Sequence, residues 1–328
     1  MQNETRVLFN AYLDQVAELS GVASALQKFA VAPSVQQKLE NKVQESSGFL
    51  QKINIIGVTQ QQGEKLGLGV GNPVASTTNT AATARTTTDV SVLDSQGYVC
   101  TQTNSDTHIR YELLDAWAKY QDFQIRVRDA IMKRQALDRI MIGFNGTSRA
   151  ATSNKAANPL LQDVNKGWLQ KIREAAPERR LNNIDIGAAQ EYKNVDALVY
   201  DMVNSLIDPW YREDSGLVVV LGRDLMADKY FPLVNSNQAP SEQLATDVVI
   251  SQKRVGGLPA ATVPYFPANA LMITRLDNLS LYYQDGARRR TVVDNASRDR
   301  IENFESSNDA YVVEDFGMTA LAENLTLA

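Results

Sequence analysis

The chain is 328 residues long, 44% apolar and 22% charged, a globular composition at a length that fits two domains or one large one. It holds one histidine, His108, and one cysteine, Cys100. These counts exclude an intrachain disulfide, a Cys/His zinc site and any histidine-based catalytic triad not built on His108. Lys plus Arg is 33 against Asp plus Glu at 38, a net charge of −5, so the basic excess of a protein that grips nucleic acid along its surface is absent.

The longest apolar runs, such as Leu217–Leu221, fall far short of the ~20 residues of a membrane helix. Met1–Asn10 lacks the apolar segment of a secretory signal, and a lone free cysteine suits a reducing interior, so the chain reads as cytosolic at synthesis.

Phe9, Tyr12, Leu13, Val16 and Leu19 recur at helical steps and predict a helix over residues 1–20. A second short helix is predicted after Pro33, with Val35, Leu39 and Val43 on one stripe and Gly48 as its stop. The pair is either a local helical hairpin or an arm that docks on the body or on a neighbouring subunit. Residues 53–58 read as a strand. From Thr59 to Thr107 large side chains nearly vanish, and Asn72–Val92 holds seven threonines and four alanines, too little apolar surface for a core. Leu66, Leu68 and Val70 alternate with glycines before this tip, and threonines alternate after it, which predicts a long two-stranded excursion. Such a hairpin is marginal alone and needs a surface to lie on; a disordered linker is the alternative. A phosphate loop at Gly67–Gly71 is rejected, because the third glycine of that motif and a following helix are both missing.

From Tyr111 to Ile142 there is neither Gly nor Pro. Tyr120, Phe123, Val127, Ile131, Leu137, Met141 and Phe144 form an apolar stripe, opposite alternating charges, which predicts one strut helix over 111–143, ~48 Å long. Beyond it, helices are predicted over 159–176, 195–208 and 224–234, and strands at 217–221, 248–251, 261–263 and 271–274: a mixed α/β layer domain. Strands at 279–284 and 288–293 flank Asp285-Gly286 as a hairpin turn, followed by strands at 311–314 and 319–327.

Chemical candidates are thin. His108 and Cys100 read as structural. The acidic set Asp294, Asp299, Glu302, Glu305, Asp309 and Glu314 lacks calcium-loop spacing and reads as a solvated face. Arg288-Arg-Arg290 is either an exposed hairpin or a salt-bridge patch at an interface. No catalytic, cofactor or metal residue is assigned.

The local sequence resembles the P2-like major capsid proteins of tailed bacteriophages. The carrying segments are Glu4-Thr-Arg6 with Phe9-Asn-Ala-Tyr-Leu13, Gln44-Glu-Ser-Ser47, Gly63-Glu-Lys65, Tyr120-Gln-Asp-Phe-Gln124 and Gly143-Phe-Asn-Gly146. They continue with Gly167-Trp-Leu-Gln-Lys171, Asp208-Pro-Trp-Tyr211, Ala227-Asp-Lys-Tyr-Phe-Pro232, Ile250-Ser-Gln-Lys-Arg254, Pro264-Tyr-Phe-Pro-Ala268 and Tyr311-Val-Val-Glu-Asp315. The loop near Arg180–Lys193 looks shorter than in that family, and no extended tail follows Ala328.

The resemblance implies an α+β, HK97-type capsid fold and a structural, non-enzymatic role. It implies an N-terminal arm over 1–52, an extended hairpin (E-loop) over 53–108, and a peripheral domain over 109–189 with the spine helix 111–143. An axial domain over 190–275, and returning strands of the peripheral domain with a final axial strand over 276–328, complete it. Leu66, Leu68, Val70, Thr77, Thr78 and Arg85 would make inter-subunit contacts. The spine would present Tyr120, Phe123, Val127, Ile131, Leu137 and Met141. Processing by a phage protease would fall around Phe29-Ala30. The implied partners are the chain itself in pentamers, hexamers and an icosahedral shell, an internal scaffolding protein with protease activity, a portal ring, and double-stranded DNA held non-specifically. Assembly in the host bacterial cytoplasm and residence in the virion follow. The alternatives are an encapsulin-like cargo shell, or an α/β enzyme with a regulatory arm.

Overall fold

The computed structural model describes residues 1–64, 75–87, 97–117, 123–234 and 253–327. The chain opens with helix α1 (Asn3–Leu19), the short strand β1 (Phe29–Ala30) and helix α2 (Pro33–Glu45). Strand β2 (Asn54–Val58) leads into β3 (Gln62–Glu64), which pairs antiparallel with β4 (Gly97–Val99). The excursion is therefore two-stranded at its root. Leu66, Leu68, Val70 and Tyr120 lie outside the described residues.

Strands β5 (Thr101–Asn104) and β6 (Thr107–Arg110) return to the body and run into helix α3 (Tyr111–Trp117). Helix α4 (Phe123–Asn145) carries Phe123 and Val127 in its first turns and is ~34 Å long at 1.5 Å per residue. Its stripe against the core is Met132, Ala136, Ile140 and Phe144, at i, i+4, i+8 and i+12. Of the predicted stripe, Met141 is buried, whereas Ile131 and Leu137 are half-buried. The predicted helix over 159–176 shrinks to α5 (Trp168–Ala175). Leu161 takes a left-handed φ of 58°, and the amides of Thr147 and Ser148 donate to the Gln162 carbonyl, so residues 158–166 bond across to 147–150 instead of along a helix.

The first sheet is organised by β15 (Arg300–Val313). On one edge it carries β5 and β6, and on the other β13 (Leu279–Gln284) and β14 (Arg289–Asn295), all antiparallel. Strand β2 lies parallel outside β13, and β1 antiparallel outside β14. This corrects the predicted hairpin at Asp285-Gly286. Strands β13 and β14 do not pair with each other; they lie end to end along β15, and the chain reverses at Ala296–Asp299, where Asp299 has φ 48°. The segment 285–288 is a jog. Its polar backbone is answered by α2, where the Gln36 amide donates to the Gln284 carbonyl and accepts from the Gly286 N–H.

One core lies between the inner face of this sheet and α2, α4 and α5. Trp168 is its centre: it makes edge contacts with Phe144 and Tyr311, both at 5.2 Å between ring centroids, and its indole N–H donates to the Ser280 carbonyl at 2.9 Å. Gly143 lets α4 approach it, since a Cβ there would sit 2.2 Å from the indole ring. A separate cluster docks the arm on the same sheet, with Phe9, Leu13, Val16 and Phe29 against Tyr111, Leu114, Val292 and Ile301. Of the two sequence readings of the arm, docking on its own body is the one found.

The second sheet has the order β10-β11-β9-β12-β16-β7. In chain order these are β7 (Arg180–Asn182), β9 (Val218–Leu221), β10 (Arg254–Val255), β11 (Leu258–Ala261), β12 (Leu271–Thr274) and β16 (Ala320–Glu323), while β8 (Asp185–Ile186) pairs separately with β17 (Thr326–Leu327). Helices α6 (Val195–Leu206) and α7 (Arg223–Val234) accompany it. Val219 and Leu221 enter a core with Leu198, Met202 and Leu225, whereas Val220, Met272 and Leu321 join the first core on the other face. Burial on both faces explains the unbroken apolar run at 217–221. The predicted strand at 248–251 falls outside the described residues.

Candidate assembly surfaces and a buried charge junction

The jog between β13 and β14 turns Arg288 inward while Arg289 stays exposed and Arg290 again faces in, to Asn303 and Tyr12. The three-arginine cluster is thus split by strand alternation. Arg288 donates to Glu40 of α2 at 2.6 Å, to Glu305 at 2.7 Å and to the Gln135 side-chain oxygen at 3.1 Å. Gln135 donates in turn to Glu305 at 3.0 Å. Arg139 of α4 pairs with Glu40 and reaches Asp309 at 3.4 Å. Glu40 is 1% exposed and Asp309 3%.

Burial works against the Glu40 carboxylate, but Arg139 and Arg288 outweigh it and hold its pKa below the usual value. Glu305 behaves alike through Arg288 and Arg290. Asp309 goes the other way: burial raises its pKa, with the neighbouring Glu40 adding to the rise and Arg139 opposing it. The junction joins the arm helix, the strut helix and the sheet. It lines a cavity of about 20 Å³, the size of one water.

Glu305 and Asp309 were expected on a solvated face, and that expectation is corrected: both are buried counter-ions of arginines. Glu40, Gln135 and Arg139 were missed. The signal was present as spacing, because Gln36, Glu40 and Val43 share the inward line of α2, at i, i+4 and i+7, as Gln135 and Arg139 do on α4. A polar residue on an inward line carries no label until its partner is known.

Thr77, Thr78 and Arg85 lie in the segment 75–87, every residue of which is exposed. Among the described residues its hydrogen bonds are local: Asn79 holds the amides of Ala81, Ala82 and Thr83. Phe29 and Ala30 pair with Arg290 and Arg289, and the Val31 N–H donates to the Arg288 carbonyl at 2.9 Å. Phe29 is buried, so the candidate processing site is extended but clamped in the sheet. His108 is exposed opposite Glu302. Cys100 is buried and its thiol is pushed up to about 12, chiefly by burial and then by Asp309, which leaves it unreactive.

The family model described as phage major capsid protein, P2 family, matches residues 8–325. The capsid proteins of Escherichia phage P2 are 53% identical over 99% of this chain and 95% of theirs. The major capsid protein of Serratia phage KSP20 is 44% identical over 100% and 98%. Among solved structures, a chain of the satellite phage P4 procapsid including size determination (Sid) protein superposes with TM-score 0.84 at 51% identity, covering 100% of this chain and 99% of that one. The capsid of an empty GTA particle superposes with TM-score 0.54 at 16% identity over 86% of this chain and 90% of that one, which shows the fold alone. The fold is the HK97-type capsid fold, and the role is structural, with no turnover. With a family model spanning nearly the whole chain and relatives this close, the chain belongs to the P2 family of phage major capsid proteins.

Proposed function

We propose that this subunit of a capsid shell assembles as pentamers and hexamers, and that the segment between β3 and β4 reaches over a neighbouring copy. The observation that carries this reading is the exposure of every residue from 75 to 87. Thirteen consecutive exposed residues bury too little surface to hold one conformation by themselves, and a neighbour's surface supplies the missing burial. Thr77, Thr78 and Arg85 are the contacts proposed from the described part, with Leu66, Leu68 and Val70 beside them in sequence. Residues 1–52 serve as the arm, 53–108 as the E-loop, 109–189 with the returning strands of 276–328 as the peripheral domain, and 190–275 with the final strand of 276–328 as the axial domain. The second core, drawn from 190–275 together with Ile186, Ala320, Ala322 and Leu325, belongs to the axial domain around the capsomer centre.

The remaining partners are an internal scaffold with protease activity, a portal ring, and packaged double-stranded DNA. A net charge of −5 suits a wall past which DNA must slide. Assembly takes place in the host cytoplasm. Processing at Phe29-Ala30 would require β1 to leave the sheet first, since proteases cut unpaired, accessible chain. Co-expression with the scaffold and negative-stain imaging test the shell: closed particles are expected, and monomers or dimers alone would overturn it. Removing Gly67–Thr88 should leave the body folded and abolish shells; particles that persist would refute the reach over a neighbour. Intact mass from mature particles tests processing, and a chain retaining Met1–Phe29 would count against it.

A further inference from the structure

Three buried carboxylates, Glu40, Glu305 and Asp309, share two buried arginines, Arg139 and Arg288. The shares are unequal. Arg288 is spent on Glu40 and Glu305, and Arg139 turns both terminal nitrogens to Glu40 while it reaches the two oxygens of Asp309 only at 3.4 Å. A nearer donor to the Asp309 carboxylate is the neutral Ser307 hydroxyl, at 3.0 Å. The other titratable groups around Asp309 add no cation. They are Asp138 of α4, paired with Arg134 at 2.5 Å, Tyr311 on the same strand, Tyr283 opposite on β13, and Cys100 just before β5. Arg290 acts on Glu305 and is turned to Asn303 and Tyr12.

The excess carboxylate belongs to the arm. Glu40 is on α2, whereas Arg139 is on α4 and Arg288, Glu305 and Asp309 belong to the β13–β15 run of the first sheet. Without α2 that body holds two carboxylates and two arginines, Arg288 for Glu305 and Arg139 for Asp309. Docking α2 brings a third carboxylate and no buried cation into the same volume, and Glu40 takes the better share of both arginines. A buried carboxylate left with a distant arginine sheds its charge by binding a proton. We propose that docking of α2 loads a proton onto Asp309 and that undocking returns it to solvent, which makes the arm a proton-linked latch on the strut helix. The proton passes between water and an Asp309 oxygen, while Glu40 and both arginines keep their charge. The cavity of about 20 Å³ beside Asp309 and Arg139 has room for the one water this exchange needs. Asp309 is raised in the docked state, with Glu40 contributing, so its support of docking is whole below the ordinary aspartate value, ~3.9, and is lost as pH rises through the raised one. Glu40 is lowered, so its own contribution is whole above ~4.3. Above that pH the arm therefore loosens as pH rises.

Infrared spectra of the full chain report the proton directly, as the carbonyl stretch of a protonated carboxyl that Asp309→Asn removes. In the wild type this band should persist above pH ~3.9, the ordinary aspartate value, and Glu40→Gln should move its loss to lower pH by restoring the balance of two and two. Hydrogen exchange of the amides of residues 33–45, corrected for its intrinsic pH dependence, reads the docking. Protection of α2 relative to α6 should fall about three-fold or more between about pH 5 and about pH 9 in the wild type, and stay level in Asp309→Asn. A band lost at the ordinary aspartate value, or one that Glu40→Gln leaves in place, would overturn the proton on Asp309. Protection of α2 that is level with pH in the wild type, or that falls equally in Asp309→Asn, would overturn the latch. Should the asparagine variant fail to fold, the titrations of the wild type and of Glu40→Gln still decide.

Discussion

Strand β9 of the second sheet and strand β15 of the first are both central, and they are buried by different chemistry. Around β9, Val219 and Leu221 sit with Leu198, Met202 and Leu225 on one face, and Val220 joins Met272 and Leu321 on the other. Along β15, Ile301 and the C-terminal Ala310–Val313 are of that kind; the middle holds Glu305 and Asp309 against two buried arginines. An apolar layer tolerates small displacements, because its attraction is non-directional. A buried ion junction does not, since each carboxylate left without its arginine retains the cost of its lost water. The junction on the first sheet therefore fixes the positions of α2 and α4 against each other, while the layer around β9 mainly supplies burial.

The difference can be broken at either end. Arg288→Ala removes the arginine of Glu305 and one of the two arginines of Glu40, and should cost about 3–5 kcal/mol, measured by denaturant unfolding. The junction should also make the chain acid-sensitive. Glu40 and Glu305 have depressed folded-state pKa values, so their contribution is present above the ordinary carboxylate value, about 4.3, and is lost as pH falls through the lower folded values. Asp309, raised instead, contributes in the opposite sense, its protonated form being favoured in the fold as pH rises. With two groups against one, the melting temperature should fall below about pH 4.3, and Arg288→Ala should flatten that fall. In the apolar layer, Leu198→Ala should cost about 2–5 kcal/mol with no such pH signature. Gly143→Ala drives a methyl into Trp168 and should cost about 1–3 kcal/mol, read as a lowered unfolding midpoint.

The same contrast explains what could be read from residues alone. Strands β9 and β12 announce themselves as apolar runs, and α1, α2, α6 and α7 by periodicity and stops. Most of β15 gave no such signal, because Arg300–Asp309 is mostly charged and polar, and the arginines that answer its buried carboxylates lie 17 and 170 positions away, Arg288 for Glu305 and Arg139 for Asp309. The jog at 285–288 looked like a hairpin because Asp-Gly is a turn signal in either case, and only Gln36, remote in sequence, decides that the strand continues. Helix α5 was over-extended because Leu161 and Val164 have helical spacing, while the bonds from residues 147–150 that unwind 158–166 cannot be seen in a local window. Family membership was legible throughout, since it rests on many short segments and not on any one contact.

The smallest effect is expected on the outer face of β15. Phe304 stands 42% exposed there, in register with Thr291 of β14, while its neighbours Asn303 and Glu305 point inward. Within the isolated subunit it covers little, so Phe304→Ser should change unfolding free energy by no more than about 0.5 kcal/mol. The shell imposes a different demand on the same residue. If a neighbouring copy covers this sheet face, the serine should lower the yield of closed particles well beyond what its subunit stability would suggest. Equal particle yield with an unchanged melting temperature would mean that the face stays in solvent after assembly. A large loss of subunit stability would mean instead that Phe304 braces the strand from outside, and that β15 has a second buried face as β9 has.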